Sequence, residues 1–216
     1  MQSILRMALV LAVTYTGRTQ IAKEAPTDAD FKWQPPVIQA PIPLPPSTLK
    51  EMVTTLRVSK ILVVLEETKM ADVKKRLGGS FGRRGDAASY VEWLCYYGAN
   101  ADGRWVLWLE SSETVAGTVD GFILERLDSD ARMDGRCGNL QAGGVELPIA
   151  LKLGITETRA RKILGPPTLK FRGTLVFHHE HTEIFHNQPH TASNTVYLVL
   201  RRGVVWAIRA DKDTTS

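Results

Sequence analysis

Apolar and polar positions change their period several times along the chain. Met7 to Val13 is continuously apolar, and seven prolines between Glu24 and Pro46 then interrupt any period. From Leu65 onward, short stretches of helical period alternate with longer stretches of period two. Met70, Val73 and Leu77 fall on one helical face. Lys74, Lys75 and Arg76 suit the negative end of the last turn, and Gly78 supplies a stop. Residues 151–167 repeat the design. Thr156 is placed to cap, Ile155 and Ala160 can staple, Glu157 suits the first turn, Arg161 and Lys162 the last, and Gly165 followed by Pro166 and Pro167 forbids continuation.

Each predicted helix precedes predicted strands. In the first unit Val91, Trp93, Cys95 and Tyr97 alternate with Glu92, Leu94 and Tyr96, and Trp105–Glu110 and Thr118–Leu127 follow. In the second, Thr174–Phe177, Thr195–Leu200 and Val204–Arg209 alternate likewise, with Arg201-Arg202-Gly203 as a tight hairpin turn. The pattern predicts an α+β fold of two tandem units, each a short helix packed on a three- to four-stranded antiparallel sheet. The expected boundaries are 1–22 for a leader, 23–46 for a linker, 47–140 for the first unit and 141–216 for the second.

The segment Gly154 to Thr168 resembles the G-M-T-x-x-x-V-x-x-x-L-G-x-P signature of SmpA/OmlA (BamE-like) domains, with Ala160 at the valine position. The first copy carries Lys69 at the capping position and Glu66-Glu67 in place of Gly-Met. The tandem organisation resembles the β-lactamase-inhibitor-protein-like fold. The resemblance implies a cell-envelope protein that binds another envelope or secreted protein, as an assembly factor or inhibitor-like module. It supplies no catalytic residue, and a fold by itself does not specify a function.

Composition adds a location. Arg6, the apolar run and the absence of acids before Glu24 follow the order of a secretory signal peptide, the other reading being a buried N-terminal strand. The run is too short to span a bilayer, so no membrane span is expected. A periplasmic or secreted protein of a Gram-negative-type envelope follows. The 27 basic and 23 acidic residues leave a charge of +4, too small and dispersed for a nucleic-acid surface. Cleavage after Ala22 would remove Arg6 and Arg18 and no acid. Prolines fix φ and lack the amide donor, so 23–46 reads as an extended tether. Cys95 and Cys137, the only cysteines, form a disulfide if the chain is exported and two buried thiols if it is not.

Three constellations could carry chemistry. All five histidines lie between His178 and His190, and on a strand His179, His181 and Glu183 would share one face. This is a transition-metal ligand set or a solvated strand end. The loop from Gly78 to Asp86 carries Arg83 and Arg84 but lacks the Gly-Lys-Ser/Thr ending of a phosphate loop, which leaves a partner contact or a plain connection. Tyr96, Trp105 and Trp108 crowd the first sheet, either facing a partner or packing between the units. No nucleophile stands in a catalytic order, so no enzymatic activity and no cofactor are expected. The expectation is a protein-binding module using Arg83, Arg84, Tyr96, Trp105 and Trp108, with metal binding through the histidine cluster as the alternative.

Overall fold

Long hairpins dominate the chain because period-two alternation continues into polar stretches that pair as well as the apolar ones. The structure is a computed structural model describing residues 31–39, 44, 49, 52–86, 89–140, 144–185 and 188–215. The leader read at 1–22 lies outside the described residues. Strands β1 (Phe31–Lys32), β2 (Thr55–Val58) and β3 (Ile61–Val64) precede helix α1 (Met70–Leu77). Strands β4 (Phe81–Gly85), β5 (Tyr90–Asn100), β6 (Gly103–Ser112) and β7 (Gly121–Arg126) follow, then the short strands β8 (Arg132–Met133), β9 (Gly138–Asn139) and β10 (Val145–Glu146). Helix α2 (Glu157–Leu164) leads into β11 (Leu169–Phe171), β12 (Thr174–Phe185), β13 (Gln188–Arg201) and β14 (Val204–Thr215).

This corrects the expected fold class. Among the described residues 54% lie in strands and 12% are helical, so the chain is mainly β and not α+β. Both helices form where the sequence places them, α1 without a side-chain cap at Lys69. Thr156 accepts the Arg159 amide, and Gly78 and Gly165 close the helices at φ 75° and 95°. At eight residues each, however, they are too short to make a layer.

The strands of both predicted units join one nine-stranded sheet in the order β11-β12-β13-β14-β7-β6-β5-β4, with β9 beside β5. The order is mirrored about the β14–β7 pair, so each run of four reads inward to the same junction. The helix starts repeat the relation: Lys69 bridges Thr118 just before β7, and Thr156 bridges Val204 at the start of β14.

Both faces of this sheet are apolar. Leu94, Leu107, Phe122, Phe177, Leu198 and Ile208 point to an inner core, which Met70 and Val73 of α1, Ala160 and Leu164 of α2 and Leu56 and Val63 of β2 and β3 cover. Strands β10, β2 and β3 form a separate small sheet over that side. Trp93, Cys95, Val106, Trp108 and Ile123 form a second cluster on the outer face. Among the described residues no helix is long and apolar enough to cross a membrane.

Cys95 and Cys137 are joined in a disulfide with Cα atoms 4.6 Å apart, closing a sequence separation of 42. The bond fastens the loop after β7 onto the outer face, and the next residue, Gly138, pairs with Tyr96. The Arg104 guanidinium holds the start of that loop through the Asp128, Ser129 and Ala131 carbonyls. A loop of this length loses about 4 kcal/mol of unfolded-state entropy on closure. Reduction is therefore expected to lower the stability of the folded chain by a few kcal/mol, read as a fall in the denaturant midpoint with and without reductant. An unchanged midpoint would show that the bond contributes nothing.

Candidate partner-binding face

The aromatic rings expected at a contact surface lie inside. Tyr96 and Trp105 belong to the inner core and Trp108 to the outer cluster, all essentially buried. Glycine makes room for two of the indoles in the first half of the sheet. Gly82 lies directly opposite Trp93 and Gly98 opposite Trp105, and a Cβ on either glycine would come within 2.2 Å or 2.6 Å of the ring. The rings therefore lie flat over bare backbone.

Trp93 and Trp108 are then covered by a segment that the proline count predicts as free tether. Residues 31–39 instead form a strap across the outer face. β1 pairs with β8, the Trp33 ring packs edge-on against Trp93 at 5.9 Å, and Arg136 stacks on Trp33 at 4.4 Å. Beyond β1 the sheet grips the strap through its carbonyls: Trp108 Nε1 donates to Trp33 O at 3.2 Å, Arg84 to Pro35 O at 3.1 Å and Arg209 to Ile38 O at 3.4 Å. Lys32 adds an ion pair with Glu125 at 2.7 Å. A segment held by its carbonyls needs no amide donors, which is why Pro35 and Pro36 fit here.

Charge lies beneath the strap. Glu110 is 3% exposed, with Arg209 at 3.6 Å and Arg84 at 3.9 Å, and its Oε1 has no hydrogen-bond partner among the described residues. Arg209 also meets Asp211 at 3.0 Å, and Asp120 accepts the Ser112 amide at 2.9 Å and the Ser112 hydroxyl. Burial pushes the Glu110, Asp120 and Asp211 carboxyls above their ordinary range, and the arginines oppose that rise. Arg84 and Arg209 thus serve the acids and the strap together.

At its far end the strap forms one wall of a groove of about 410 Å³, floored by Thr174, Val199 and Trp206 and rimmed by Phe171, Arg172 and Arg201. Arg201 lies 4.1 Å over the Trp206 ring, whose Nε1 donates to Glu125 at 3.4 Å. A register shift at Val199/Leu200 leaves Trp206 without a cross-strand partner. This bulge turns the indole outward, although strict alternation would place it inside with Ile208. Sequence reasoning missed Trp206 for that reason, and Trp33 because it sits among prolines.

The other expected residues are dispersed. The stretch Phe81–Gly85 is an edge strand and not a loop. Arg83 stacks on Tyr90 at 3.8 Å with Glu92 at 3.9 Å, while Arg84 turns under the strap. The His179 and His181 ring centroids are 5.2 Å apart on one face of β12, and the register sets His190 opposite Glu183, whose side chain lies outside the described residues. His178 takes the opposite face, with Nδ1 3.0 Å from the Thr195 hydroxyl. Among the described residues no group of three His, Cys, Asp or Glu side chains could hold a metal ion.

Comparison with protein-family models, curated proteins and solved structures finds no match.

The buried carboxyl gives a pH signature. Because Glu110 titrates higher in the folded than in the unfolded chain, it takes up its proton in the native state first as pH falls. The advantage of the wild type over Glu110→Gln is therefore expected to grow from neutral pH down to the unfolded carboxyl range near 4.5, and then to level off. Urea unfolding of both proteins at several pH values measures this. A difference independent of pH would show that Glu110 is not desolvated.

Proposed function

We propose that the chain is an exported cell-envelope protein-binding module that acts without catalysis, holding an extended polypeptide on the outer face of its sheet. The strap carries this reading. The face already grips one extended segment by arginine and tryptophan donors to its carbonyls. Beside that segment a groove with the same kinds of groups stands open. Its polar members are Arg172, Arg201, Gln39, Thr174 and Glu125, the last paired with Lys32, and the arginines and the glutamine amide are groups suited to holding carbonyls and anions. Aromatic and arginine side chains are also those enriched at binding hot spots.

The disulfide supports the location, since such bonds persist in oxidising compartments such as the periplasm. The similarity of Gly154 to Thr168 to the SmpA/OmlA signature supports the same reading.

A photo-crosslinking residue at Thr174, in the chain expressed and exported in a Gram-negative host, tests the groove. A defined polypeptide adduct is expected from the envelope fraction, identified by mass spectrometry and lost in a Trp206→Ala variant with an unchanged melting temperature. No polypeptide adduct, or one indifferent to Trp206, would overturn the reading.

A further inference from the structure

We infer that the polypeptide taken by the groove is acidic where it passes the β11–β12 and β13–β14 turns; this rests on the binding reading above and adds the chemistry of the partner. Both turns are two-residue connections whose first residue is an arginine at positive φ, Arg172 at 46° and Arg202 at 52°, followed by Gly173 and Gly203. Asn, Asp and Gly occupy that position with least strain. Two arginines there hold cations at the end of the sheet against the local backbone preference, a departure that points to a use beyond turn formation. The turns are neighbours, since the Leu200 amide donates to Gly173 O at 2.9 Å.

These cations are not consumed by the fold. Arg172 stacks on Phe171 at 4.9 Å, and neither Arg172 nor Arg202 has a carboxylate partner among the described residues. Arg201 meets Asp128 at 3.6 Å, but those side chains are 53% and 63% exposed, and such surface pairs hold weakly. Among the described residues the one acid lining the groove, Glu125, is engaged by Lys32 at 2.7 Å and by the Trp206 indole. Among the described residues the rim therefore offers the guanidinium groups of Arg172 and Arg201 over a mostly apolar floor, opposed by the exposed Asp128 carboxylate that Arg201 meets. A guanidinium donates two parallel hydrogen bonds to a carboxylate, and Arg201 is already oriented by stacking on Trp206. Elsewhere the molecule uses Arg84, Arg104 and Arg209 to hold backbone carbonyls, the second kind of acceptor an extended segment brings.

The test measures binding of a fluorescent extended peptide of alternating glutamate and valine to the full chain by anisotropy, beside the same peptide with every glutamate replaced by glutamine. The acidic peptide is expected to bind at least about tenfold more tightly, the gap closing near 1 M salt, where charges are screened beyond about 3 Å. The double variant Arg172→Glu/Arg201→Glu, with an unchanged melting temperature, is expected to lose the acidic peptide and to prefer a lysine–valine peptide. Equal binding of the glutamate and glutamine peptides would overturn the acidic assignment and leave the groove as a polypeptide site. Failure of every peptide, together with no adduct at Thr174, would overturn the binding reading itself. Arginine-dependent binding to phosphatidylglycerol vesicles without any peptide binding would overturn the inference in favour of an anionic lipid surface.

Discussion

A sheet that is apolar on both faces must be covered on both, and this constraint organises the molecule. Two eight-residue helices cannot cover nine strands. The inner face is completed by the small sheet of β10, β2 and β3, and the outer face by irregular chain: the strap and the loop after β7. Irregular chain brings backbone polar groups that need partners. Arg84, Arg104, Arg209 and the Trp108 indole supply donors to its carbonyls, and the Cys95–Cys137 bond holds the loop where hydrogen bonds alone would be few.

The same constraint explains why charge is found under the strap. Arg84 and Arg209 reach strap carbonyls from beneath, so their guanidinium groups are half-buried and need counter-charges, which Glu110 and Asp211 provide. Replacing such a network by apolar residues is often neutral for stability, whereas removing one member strands a buried charge. Its contribution here is to position: the arginines set where the strap crosses, and the end of the strap sets the wall of the groove. The groove is thus a consequence of how the outer face is covered, with Val37, 67% exposed, on the strap beside it.

The mirrored strand order gives the two halves unequal surfaces from similar plans. In the first half, Gly82 and Gly98 let Trp93 and Trp105 lie flat, which makes that part of the sheet a core on both sides. In the second, the bulge at Val199/Leu200 and the arginine turns present Trp206 and cations at the end of the sheet. The open groove accordingly lies in the second half, although the density of aromatic residues in the sequence points to the first.

Local chemistry was legible in the sequence. Caps and stops such as Thr156, Gly78 and Gly165, and the turn at Arg202-Gly203, act within a few residues, and two cysteines alone in a chain leave only one intramolecular pairing. The candidate site was not legible, because its parts meet only across the sheet. That Trp105 and Tyr96 point inward depends on which face the helices cover. That Trp206 points outward depends on a one-residue register shift, and that His190 faces Glu183 depends on the length of a hairpin. The strap is the clearest case. Its prolines interrupt regular structure, which reads locally as a tether, but only the folded sheet brings Trp108, Arg84 and Arg209 to the spacing at which the carbonyls around Pro35 and Pro36, which lack amide donors, are held.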